Sequence, residues 1–104
     1  MLKIVNPEKL QTTMKALTAG MEFELVFQRE NPHEYLFRIL KDGVLDAKMA
    51  ISKDWNRGDT VVVRFCDKDN HWILATYELD YSRVSNRGEF LLWISDKFIK
   101  RYKG

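Results

Sequence analysis

Apolar and polar positions along the chain fall into two regimes. Leu10, Met14 and Leu17 recur at i, i+4 and i+7, the spacing of a single helical stripe. Just before them, Asn6 can cap a helix, Pro7 suits the first helical position and Glu8 complements the dipole. Val5 and Leu10 are placed for a hydrophobic staple, and Gly20 is a suitable stop. The pattern predicts one amphipathic helix over residues 7–19. Its narrow stripe suits a helix lying on a sheet.

After Gly20 the period becomes two, which predicts strands. Met21, Phe23, Leu25 and Phe27 form one face of the first strand. In the second, Tyr35, Phe37 and Ile39 alternate with Leu36, Arg38 and Leu40. Asp42-Gly43 is a two-residue hairpin signal, and the third strand puts Leu45, Ala47, Met49 and Ile51 on one face. Val61, Val63 and Phe65 then oppose Thr60, Val62, Arg64 and Cys66 in the fourth. The fifth strand, ending at Tyr81, directs Ile73, Ala75, Tyr77, Leu79 and Tyr81 inward and Trp72, Leu74, Thr76, Glu78 and Asp80 outward. Residues 82–89 read as a polar loop and Phe90 to Ser95 as a sixth strand, with Phe90, Leu92 and Ile94 inward. Residues 96–102 fit helix or strand.

Short links force neighbouring strands to be antiparallel. The expected fold is therefore α+β: an N-terminal helix packed on a strongly bent antiparallel meander or small barrel of about six strands. Its 104 residues make a single domain, 1–104.

Composition narrows the class without naming a function. Hydrophobic residues are 45% and charged residues 31%, as in a globular chain, and the net charge of +2 neither requires nor forbids a polyanionic partner. Cys66 is the single cysteine, so no intrachain disulfide can form, which favours a reducing, cytoplasmic setting. No apolar run approaches the roughly 18 residues a membrane span needs, so no membrane partner is expected.

Catalytic constellations are missing from the pattern. His33 and His71 lie in predicted turns, where a histidine is usually solvated, and Cys66 sits on an apolar strand without an electropositive setting. There is no Cys-x-x-Cys, no His-Glu-x-x-His and no Gly-rich phosphate loop. Hence no enzyme, catalytic residue, metal or cofactor is expected.

What remains is a surface. The outward positions could gather Arg38, Lys48, Arg64, Trp72 and Trp93 on one face, although Leu36, Val62, Leu91 and Trp93 could equally be where the helix docks. Asn56-Arg57-Gly58-Asp59 and Asn86-Arg87-Gly88-Glu89 each precede an apolar run. They are either turn-formers used twice or loop tips presenting Arg57 and Arg87 to an anion. Lys97, Lys100, Arg101 and Lys103 make a basic C-terminal tail. Cations interleaved with aromatic rings suit single-stranded DNA or RNA. The expected role is a non-enzymatic binding module, with Arg57, Arg64, Trp72, Arg87, Lys97, Lys100 and Arg101 as nucleic-acid contacts. The alternative is a protein-interaction module, such as a small inhibitor, adaptor or dimerising subunit.

Overall fold

A computed structural model of the chain describes residues 6–18, 21–30, 33–53, 58–69, 73–84 and 87–103, with the backbone alone at 30, 74, 83–84, 87–88 and 99–103. Helix α1, Pro7–Leu17, starts where the cap predicts: the Asn6 side chain accepts from the Lys9 N–H at 3.2 Å. Leu10 and Met14 are buried, but Leu17 is 40% exposed, and Thr18 replaces it on the inner stripe, donating its hydroxyl to the Met14 carbonyl.

Five strands follow: β1 Glu22–Glu30, β2 His33–Lys41, β3 Val44–Lys53, β4 Thr60–Asp67 and β5 Ile73–Asp80. They form one antiparallel sheet in sequential order, with β1 and β5 as its edges. Of the two expected forms, meander or small barrel, the sheet is the open meander, with five strands. The β2–β3 hairpin turns through Asp42 at φ 53° and Gly43 at φ 78°, the two left-handed positions of a type I′ turn.

The expected sixth strand is a helix. After a short α2, Tyr81–Val84, residues Arg87–Lys103 form α3. The loop expected over 82–89 is largely helical as well. Alternation over 90–95 would have buried Leu92, which is 61% exposed, whereas Phe90, Leu91, Ile94 and Phe98 are buried at helical spacing. Glu89 in the first turn suits the dipole.

Both long helices pack on the same side of the sheet. Leu10 and Met14 of α1 and the apolar stripe of α3 share a core with Phe23, Phe37, Met49, Val63 and Phe65. Ring contacts carry α3 across the sheet. Phe98 packs edge-on to Phe23 at 5.2 Å and against Phe65 at 5.9 Å, and Trp93 packs edge-on to Tyr77 at 5.5 Å. The expectation that α1 docks over Leu36 and Val62 is thus reversed: it covers the other face. No helix among the described residues is long and apolar enough to cross a membrane.

Candidate interaction face

With both helices on one side, the other face of the sheet is covered by no described element. Cross-strand partners share a face, so the pairing register reads out its rows. One row runs Glu24, Arg38, Lys48, Cys66 and Ile73 from β1 to β5. The next runs Phe27, Leu36, Ala50, Arg64 and Thr76. The third runs Arg29, Glu34, Ser52, Val62 and Glu78. A shorter row of Glu22, Leu40 and Leu45 flanks the first.

Three of these apolar residues were expected in the core. The register shifts by one residue between Leu25 and Phe27, between the β2–β3 pairs at Ile39 and Leu40, and between the β4–β5 pairs at Phe65 and Cys66. Each bulge leaves an extra residue (Val26, Asp46 and Leu74), and a one-residue slip turns everything beyond it to the other face. Phe27 thus lies across from Leu36, Leu45 from Leu40, and Ile73 from Cys66. Ile73 is 62% exposed, while Phe27, Leu36, Leu40, Leu45, Ala50, Val62 and Cys66 are half-buried by their neighbours.

Charges of both signs are interspersed on the face, where Asp80, paired with Thr60 beyond the third row, makes the acids one more than the bases. Arg29, Arg38, Lys48 and Arg64 share it with Glu22, Glu24, Glu34 and Glu78. Arg38 Nη2 donates to Glu24 across the β1–β2 ladder, and Arg29 pairs with Glu34 at 3.6 Å while its guanidinium lies 4.8 Å from the Phe27 ring centroid. Burial pushes the Cys66 thiol up, against the opposing pull of the nearby Arg64 and Lys48. It is therefore a protonated, apolar member of the face at neutral pH.

The residues expected to contact nucleic acid fall, where they are described, on both sides of the sheet. Arg64 is exposed on the open face, which also carries Lys48 and Arg38. Lys97 lies on the helical side, its Nζ 5.5 Å from the Tyr77 ring and 5.8 Å from that of Trp93. Trp93 itself is in the helix–sheet core rather than on the outer face. Arg87, Lys100 and Arg101 belong to α3, so their backbone is in the layer on the far side of the sheet from Arg64. Arg57 and Trp72, like Trp55 and His71, lie outside the described residues.

His33, expected as a solvated turn residue, is the first residue of β2 and buried, in an inward row with Lys53, Val61 and Leu79. Cys66 faces the opposite way, so the two share no cleft. Lys53 is fully buried and donates its ammonium to the Gly58 carbonyl. Sequence reasoning passed over Lys53, although its parity with Met49 and Ile51 marks it as inward. Among the described residues no group of three or more His, Cys, Asp or Glu could hold a metal ion. A shallow groove of about 330 Å³ between α1 and β1 is lined by Gln11, Thr12, Lys15, Glu22, Phe23 and Glu24, and the Lys15–Glu22 pair at 3.8 Å spans it.

No protein-family model matches the chain, and no match is found among curated proteins or among solved structures.

Proposed function

We propose that this protein is a non-catalytic protein-interaction module whose contact surface is the open face of the sheet. One observation carries the reading: three bulges turn Phe27, Leu45 and Ile73 outward onto a face that already holds Leu36, Leu40, Ala50 and Val62. Half-buried apolar side chains on a sheet face that no described element covers, interspersed with charges of both signs, suit a protein contact. A nucleic-acid surface would need an excess of cations over acids. Here each of the ion-paired arginines, Arg29 and Arg38, has a glutamate beside it. A cytoplasmic setting, suggested by one free thiol, belongs to the same proposal.

The test is a photo-crosslinking side chain placed at position 36 or 62 in the native cell, with exposed Leu92 of α3 as the control site. Protein adducts at 36 and 62, and none at 92, are expected. Equal adducts at all three sites, or none, overturn the reading. Fluorescence anisotropy with single-stranded oligonucleotides at low salt tests the competing reading, and tight binding that Arg64→Glu abolishes would favour it.

A further inference from the structure

We infer that the partner of the open face is a second copy of this chain, related by a two-fold axis lying in the interface along the Phe27–Leu36–Ala50 row. This deepens the interaction-module reading and rests on it. Two faces that meet in a symmetric dimer must be self-complementary, with the axis lying in the plane between them. Rotation about the chosen row lays the Glu24 row of each copy on the Arg29 row of the other.

Those two rows are complementary in charge. The Glu24 row carries one acid and two bases: Glu24, Arg38 and Lys48. The Arg29 row carries one base and two acids: Arg29, Glu34 and Glu78. Position by position, Glu24 on β1 meets Arg29 of the other copy, and Arg38 on β2 meets its Glu34. Cys66 on β4 meets Val62, apolar on apolar, while Lys48 on β3 meets Ser52 and Ile73 on β5 meets Glu78. Along the axis Leu36 and Ala50 meet their own counterparts and form the dry centre. Arg64 also meets its counterpart, from a position where the side chain is exposed and Glu78 is a diagonal neighbour on β5.

Two other placements leave more cations without an acid, although the chosen axis too stacks Arg64 on Arg64. An axis along the Glu24 row would stack Arg38 on Arg38 and Lys48 on Lys48. An axis along β3 would stack Lys48 on Lys48 and seal Arg38 against Cys66. Like charges brought together in this way are what specific interfaces avoid. Area agrees as well. Five strands about 4.8 Å apart, with eight residues in β4 rising about 3.3 Å each, make a face of roughly 600 Å². Two such faces bury about 1,200 Å², at the lower bound of specific interfaces.

Sedimentation equilibrium at up to about 100 μM, a range suited to an interface of this size, is expected to give twice 12.3 kDa. Arg38→Glu and Glu34→Arg each create two like-charged meetings in their own dimer and should weaken it at least about tenfold. Mixed one to one, the two variants restore both meetings, so the mixture should dimerise as the natural chain does. The ion pairs they break within the chain are exposed and contribute little to folding. If circular dichroism shows that either has lost its fold, Glu24→Arg mixed with Arg29→Glu reads the same complementarity at the β1 end. A monomeric natural chain, or variants whose mixture associates no better than each alone, overturns the inference. A monomer that still yields heterologous adducts at position 36 removes the second copy and leaves the interaction-module reading standing. A monomer without adducts removes both.

Discussion

Single residues account for how the sheet manages polar groups on both sides. Lys53 is fully buried at the end of β3, and the Gly58 carbonyl receives its ammonium. Gly58 holds φ 86°, a left-handed conformation that a side chain would strain. On the opposite face, Cys66 keeps its proton because burial outweighs the cations beside it. The folded chain therefore binds that proton more tightly than the unfolded chain, whose thiol ionises near 9.0. The stability this contributes is complete below that pH and is lost as pH rises from there through the folded value. Urea-unfolding free energies taken between about pH 8 and pH 10 should fall with pH. The slope should be shallower in Cys66→Ala, and an identical slope in both proteins would count against the assignment.

At the scale of elements, α3 decides the architecture. Its residues fit a strand if only 90–95 are read, because Phe90, Leu92 and Ile94 alternate. The run continues to Phe98, and Phe90, Leu91, Ile94 and Phe98 then define a helical stripe. A six-residue window is too short to separate the two periods. Leu92 distinguishes them experimentally. Leu92→Glu should shift the unfolding free energy by no more than about 0.5 kcal/mol, whereas Ile94→Glu places an unpaired carboxylate in the core and should cost more than about 3 kcal/mol. Equal, large losses would restore the strand. The bulges belong to this scale too. Val26, Asp46 and Leu74 are ordinary residues with no glycine among them, so nothing in their type announces an extra residue in a strand.

At the scale of the whole molecule, two helices on one face leave a single-layer sheet. The inner face is a closed aromatic core, with Phe37 and Phe65 fully buried. The outer face is apolar in patches and mixes charges of both signs. Neighbours in one strand should therefore behave oppositely. Phe37→Ala should cost about 3–5 kcal/mol of stability. Leu36→Thr should change stability by less than about 1 kcal/mol while abolishing association through the open face. Chemical denaturation beside sedimentation resolves the two. If Leu36→Thr unfolds the chain as Phe37→Ala does, the outer face is a second core and no interface.

The amino-acid sequence by itself determined whatever depends on neighbours a few residues apart. Asn6 caps α1, Asp42-Gly43 makes the hairpin, and alternation defines five strands and the inward set through Tyr35, Phe37, Ile39, Val61, Val63 and Phe65. These follow from local backbone preference and from the sorting of side chains by period. Only the tertiary structure decided where a strand slips against its partner, and so which side Phe27, Leu45 and Ile73 occupy. It also decided that the sheet stays open and which face the helices cover. The physical reason is that a bulge is defined by the alignment of two strands and closure by the meeting of β1 with β5. Neither relation is encoded within a single segment; both emerge only when the competing ways of burying the same apolar residues are weighed across the folded chain.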